Sequence, residues 1–157
     1  MTVYHGSNQP IEFPDVLHSR PKVDFGVGFY VTPLREQAVS WAGRFKKAGQ
    51  NAFVTEYSLD DEALTLPKTL RFDSYNEEWL DFILRCRNGE KVEDWDVIMG
   101  GVANDRVFDT IQLFFDGLID KSAAIERLKY HKPSYQICLR TQAMIDQYVH
   151  FVGSKEI

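Results

Sequence analysis

Residues 24–32 read DFGVGFYVT, and the sense of this stretch decides the fold. Two glycines flank one valine, two aromatics follow, and a β-branched run closes it. Glycine frees the backbone for a tight turn, while Phe29-Tyr30-Val31-Thr32 has the aromatic and β-branched content of a strand. A dinucleotide-binding Gly-x-Gly follows a strand and opens a helix. Here Gly26-Val27-Gly28 precedes a strand, so the doubly wound dinucleotide fold is excluded. Thr32 and Pro33 then suit a helix start, with a hydroxyl at the N-cap and proline at the first helical position. Leu34, Ala38, Trp41, Ala42 and Phe45 repeat with helical spacing, and Gly49 closes the helix.

Outward from there, residues 2–5 read as a first strand, and residues 51–59 alternate Phe53, Thr55 and Tyr57 against Val54, Glu56 and Ser58. Ser74 and Glu77 have capping-box spacing before a helix whose face is Trp79, Phe82, Ile83 and Cys86, ending at Gly89. Residues 96–99 read as an apolar strand stopped by Gly100-Gly101. A helix from about Asp105 would carry Val107, Ile111, Phe114, Phe115 and Leu118 on one side. Asp120 caps a short helix that Pro133 shuts off. Residues 135–140 alternate again, Thr141 caps a helix with Met144, Ile145 and Tyr148 inward, and residues 150–152 suit a last strand. Strands and helices mix without a regular βαβ rhythm, which predicts one α+β domain over residues 1–157.

Composition narrows the function classes. The chain has 157 residues, 44% hydrophobic and 26% charged, as in a globular domain with a real core. No apolar run approaches the roughly 20 residues that span a bilayer. The opening MTVYHGS lacks a basic segment followed by an apolar one. A cytoplasmic protein with no membrane partner is expected. Cys86 and Cys138 are too few for a disulfide framework, and their apolar settings predict buried thiols. His5, His18, His131 and His150 show no ligand spacing, so no metal is expected. A net charge of −5 argues against an indiscriminate grip on nucleic acid. Arg44, Lys46 and Lys47 suit the negative end of a helix, or a phosphate.

Three places carry chemistry. His5 ends a strand beside Gly6, which lets a ligand approach the backbone, and Ser7 adds a hydroxyl that donates and accepts. Tyr30 faces opposite to Phe29 along its strand, so one can be core while the other lines a cleft, or both can be packing residues. Gln136 opens an apolar strand on the face shared with Cys138, where it could serve a site or bind a neighbouring loop. Trp41 lies on the apolar stripe of its helix, where core packing is the plain explanation.

In this order, His5-Gly6-Ser7, then Gly26-x-Gly28-Phe29-Tyr30-x-Thr32 before a helix, then Gln136, the chain resembles the ADP-ribosyltransferase superfamily. The likeness is to its diphtheria-toxin and poly(ADP-ribose)-polymerase branch, which carries a His-Tyr-Glu triad. Over nearly the full length, including WDVIMGGVANDRVFDTI (95–111) and SYQICLRTQAMID (134–146), it also resembles a family of small bacterial toxin-like domains, some found in toxin–antitoxin pairs.

The resemblance implies a split pair of small antiparallel β-sheets with flanking helices and NAD, as co-substrate, in the cleft between them. It implies that His5 holds the adenosine-side ribose and that the Gly6 peptide clamps the nicotinamide carboxamide, with the Ser7 hydroxyl assisting. Tyr30 would lie against the nicotinamide ring, with Trp41 on its other face. Gln136 stands where the family has its catalytic glutamate, and an amide accepts a ribose hydrogen bond without the full negative charge. Ser134 stands where arginine-specific members have a second carboxylate, which argues against a protein arginine as acceptor. Asn104 and Asp105 could help bind NAD, or cap a helix. The implied activity is mono-ADP-ribosyl transfer to a protein or nucleic acid, with an antitoxin protein as partner. Two rivals stand beside it: an NAD glycohydrolase, and a degenerate module that binds NAD, ADP-ribose or a protein without turnover.

Overall fold

The computed structural model describes residues 1–103, 105–129 and 134–157, with residues 105 and 106 described by their backbone alone. The sequence expectations at Asn104, His131 and Pro133 lie outside the described residues.

Strands β1 (Thr2–Ser7), β3 (Phe53–Leu59) and β7 (Val149–Glu156) form an antiparallel three-stranded sheet in the order β1-β3-β7. Strands β2 (Phe29–Val31), β4 (Thr69–Arg71), β5 (Val97–Gly101) and β6 (Tyr135–Leu139) form a second sheet in the order β2-β6-β5-β4. Its pairs are antiparallel except β4 with β5, which run parallel. Helices α1 (Arg35–Lys47), α2 (Glu77–Arg87), α3 (Asp105–Phe115), α4 (Lys121–Leu128) and α5 (Gln142–Tyr148) flank the sheets. This is the expected α+β class with two small sheets.

Alternation along the strands sends side chains to two cores. Phe29, Val31, Val97, Met99, Ile137 and Leu139 meet Val3, Tyr57 and Leu59 between the sheets. On the other face, Ile98 and Cys138 meet Phe25, Phe72, Trp79 and Ile83 beneath α2. Each fully buried large side chain of this kind contributes roughly 1.5–3 kcal/mol through lost apolar exposure. The two sheets touch at their edges. Tyr4 N–H donates to Thr32 O at 2.8 Å and Thr32 N–H returns the bond to Tyr4 O at 2.9 Å.

Several local expectations need correction, each for a physical reason. Thr32 does not cap α1, and Pro33 is not its first residue. The Thr32 hydroxyl donates to Tyr135 O at 2.7 Å and accepts from Leu34 N–H, which ties it to the strands, and the helix begins at Arg35. Asn76, not Ser74, caps α2 by accepting from Trp79 N–H at 2.9 Å. Gly100 and Gly101 do not stop β5; they are part of it, because Phe72 Cβ and the Phe25 ring at Gly100, and the Tyr75 ring at Gly101, lie where side chains would stand. Phe115 and Leu118 are exposed, so the inward face of α3 is shorter than expected. Trp41 is 40% exposed rather than core, because α1 packs through Ala38 and Ala42. Strand β7 is longer than residues 150–152. The caps Asp120 and Thr141 accept from Ala123 N–H and Met144 N–H as expected. Gly49 and Gly89 have the positive φ of helix ends.

Gly6 is the tightest approach between β1 and α1. A Cβ there would run into the Ala38 carbonyl oxygen, which is backbone and cannot swing aside. Gly6→Ala is therefore expected to cost about 2 kcal/mol or more, lowering Tm by several degrees at roughly 2–4 °C per kcal/mol for a chain of this size. Gly43→Ala, with open space around its Cβ inside α1, should raise Tm slightly. Thermal unfolding of the two variants checks the contrast.

Candidate functional site

Strand β1 is the edge of its sheet, and the Tyr4–Thr32 bridge covers only the first part of that edge. In an antiparallel strand, residues two apart point their peptide groups to the same side. Tyr4 spends both of its groups on Thr32, so Gly6 presents its N–H and C=O along the same edge, away from β3. No hydrogen bond reaches either group from elsewhere among the described residues. Gly6 is buried all the same, and a buried peptide without partners calls for one.

His5 lies beside it with its ring stacked on Phe29, centroids 4.8 Å apart. Its Nδ1 is 2.7 Å from Tyr30 O. A carbonyl only accepts, so Nδ1 carries the hydrogen and, in the neutral ring, Nε2 is left as an acceptor. Burial lowers the pKa of His5 below 6.5, against a smaller opposing pull from the Tyr30 carbonyl. The ring is therefore neutral at pH 7. Ser7, 6% exposed, donates to Gln9 O at 2.6 Å.

Tyr30 and Gln136 act on the segment 24–30 from the opposite face. The Tyr30 hydroxyl donates to Gly26 O at 2.6 Å and accepts from Phe25 N–H at 3.0 Å. Burial raises its pKa well above the ordinary value, which keeps the phenol neutral. Gln136 Nε2 donates to Asp24 Oδ2 at 3.1 Å and lies 3.5 Å from Gly101 O. Asp24 also accepts from Arg87 Nη2 at 2.6 Å, Arg87 Nε at 3.1 Å and Ala103 N–H at 3.0 Å. Asp24 is a buried residue, and both of its carboxylate oxygens are engaged. Thus His5, Tyr30 and Gln136 all converge on one piece of chain, the His through the Tyr30 carbonyl and the other two through Asp24, Phe25 and Gly26.

The remaining expected residues do not join them. Trp41 stands on the outer side of α1 with the Arg44 guanidinium 4.4 Å over its ring. Asn104 lies outside the described residues, as does the side chain of Asp105. Ser134 Oγ, just before β6, is buried and lies close enough to the Tyr75 hydroxyl to influence its ionisation. Cys86 and Cys138 are buried free thiols, their pKa values pushed by burial up to about 11 and about 12. A crevice of about 470 Å³ opens beside the segment, lined by Lys22, Gly26, Val27, Cys86, Val92 and Arg140 among others; none of the expected site residues lines it.

Asp24 was not singled out by sequence, and neither was Arg87. Their pairing spans 63 positions, and the sequence offers no local pattern for it. The only signal is an acidic residue opening a strongly apolar stretch.

The model of one protein family, described as "Protein of unknown function (DUF3990)", matches residues 1–151. No curated protein and no solved structure matched the chain.

Two outcomes follow from the geometry. With its pKa lowered in the folded state, His5 takes up a proton in the unfolded chain below about 6.5 that the folded chain refuses. Its contribution to stability is present above that pH and is lost as pH falls through it. His5→Asn, whose amide can still donate to Tyr30 O, should flatten the dependence of Tm on pH between 7 and about 5.5. Tyr30→Phe leaves Phe25 N–H and Gly26 C=O unpaired, at about 1–3 kcal/mol; a lowered Tm together with faster hydrogen exchange at Phe25 checks this.

Proposed function

We propose that this chain, which belongs to the DUF3990 family, is an NAD-dependent mono-ADP-ribosyltransferase of the bacterial toxin type. The observation that carries the reading is the open peptide of Gly6. Nicotinamide bears a carboxamide, one donor and one acceptor side by side. The unpaired N–H and C=O of Gly6 match it as one more rung of a β-ladder.

The neighbouring groups suit the rest of the molecule. Neutral His5 offers Nε2 to a ribose hydroxyl, with Nδ1 anchored on Tyr30 O. The Gln136 oxygen is an acceptor for the hydroxyl of the second ribose. When the glycosidic bond breaks, nicotinamide leaves with the bonding electron pair and positive charge develops on the ribose. The acceptor nucleophile then attacks the carbon that nicotinamide has left and gives up its proton. Holding ring and riboses in register supplies much of the rate, and a hydrogen-bonded 2′-hydroxyl eases the developing charge. An amide does this more weakly than a carboxylate, which suits a slow and selective enzyme. The acceptor is a protein or nucleic acid, and an antitoxin protein is the fitting partner.

One observation favours a second reading, a module that binds NAD without turning it over. Gln136 is uncharged and already bound to Asp24. Incubation with adenylate-labelled NAD and cell lysate separates the readings. Labelled protein or nucleic acid, with free nicotinamide, is the expected result. Nicotinamide with free ADP-ribose would make the protein a hydrolase, and bound but intact NAD would end the enzyme reading. His5→Asn, which keeps the donor and loses Nε2, should raise KM for NAD roughly tenfold, the worth of one good hydrogen bond.

A further inference from the structure

We infer that Asp24 is the positioning residue of the site: it holds the Gln136 amide nitrogen inward and so turns the amide oxygen toward the ribose of bound NAD. The inference rests on the NAD reading for the identity of the ligand, and on hydrogen-bond chemistry for the rest.

A glutamine amide can face either way, and only its partners decide. Both groups that Gln136 approaches here, Asp24 Oδ2 and Gly101 O, accept and cannot donate. The NH2 group must therefore face them, and Oε1 must face away. Oε1 has no partner among the described residues. Asp24 cannot yield this grip by rotating, because Oδ1 takes two hydrogen bonds from Arg87 and Oδ2 takes the Ala103 N–H as well. Arg87 is held in turn, its guanidinium 4.9 Å over the Phe108 ring. The chain Arg87–Asp24–Gln136 thus ends in a single acceptor of fixed direction.

The same arrangement explains why an amide stands at 136. A glutamate would set a second carboxylate about 3 Å from Asp24 in a buried place, where two like charges cannot both ionise comfortably. Asp24 and Gln136 are one unit, and the character of residue 136 depends on residue 24.

Around Gln136, Asp24 is bound directly with Arg87 behind it, Tyr30 and Cys138 share the inner face of the sheet, and Tyr75 lies against Gly101; the Cys138 thiol, pushed up to about 12, stays neutral. Of these, neither tyrosine changes charge between pH 5 and 8. Gln136→Glu is therefore expected to lower Tm, by an amount that grows from pH 5 to pH 8. The folded pKa of the new carboxyl is raised, so stability is lost as pH rises above about 4.3. In the Asp24→Asn background, whose amide can donate to the new carboxylate, the same substitution should cost much less. Equal costs in both backgrounds would overturn the inference. Should Asp24→Asn fail to fold, the single variant decides, and a loss of Tm that does not change with pH overturns it. In nicotinamide release, Asp24→Asn should lower kcat roughly tenfold with KM within about twofold, as misdirection of one group does. Adding Gln136→Glu should restore kcat, an effect that a purely structural Asp24 would not give. Should the wild type bind NAD and release no nicotinamide, the transferase reading fails, while the stability comparison still decides what Asp24 does.

Discussion

A carboxylate taken out of water must find a full set of partners, because an unpaired buried charge costs several kcal/mol. Asp24 meets that demand with Arg87 from α2, Ala103 N–H from beyond β5 and Gln136 from β6. The β2-β6-β5 ladder brings two of these parts near β2, but residues 24–28 themselves lie outside any ladder. The pairing therefore does more than neutralise charge. It fixes the start of the segment 24–30, whose far end is fixed by pairing of Phe29 and Tyr30 with Leu139 and Cys138 of β6. Between those points the Tyr30 hydroxyl closes the turn on Phe25 and Gly26, and Gly28 lies against the Cys138 sulfur with no room for a side chain.

Two sheets that pack through a shared core and, among the described residues, join their backbones only at the Tyr4–Thr32 bridge leave part of each edge without a strand partner. A long unpaired edge is a hazard for association with other chains. Here it is short, and α1 lies close against it. The residue at the close contact is glycine for a steric reason, the Ala38 carbonyl. The peptide group of that same residue is the one left open. Packing alone thus asks for glycine at position 6, and the proposed recognition of a carboxamide would use the peptide of the same residue.

Much of the architecture was legible in local pattern. The alternation of 53–59, the apolar face of α2 and the caps Asp120 and Thr141 are each set by residues within a few positions of one another. What was not legible depends on distant partners. Thr32 has the chemistry of a cap and spends it on Tyr135, 103 positions away. Gly100-Gly101 reads as a strand end, yet it is the floor on which the Phe25 and Tyr75 rings rest. Strand β4 follows Pro67 with three residues and too little alternation to be seen, and it is made by pairing with β5. At the candidate site, His5, Gly6, Tyr30 and Gln136 are named by the family resemblance, and what the structure adds is where each lies. Asp24 is not among them, because what matters about it is a set of hydrogen bonds that sequence order conceals.

The closeness of Gly28 to Cys138 also gives the molecule an internal timekeeper. The thiol is fully buried and its pKa is pushed up to about 12, so alkylating reagents meet almost no thiolate while the segment is seated. A reagent reaches that sulfur only when the chain over it lifts. The rate at which Cys138 is trapped, set against that of global unfolding, therefore measures how often the segment leaves its place, with no cysteine having to be introduced.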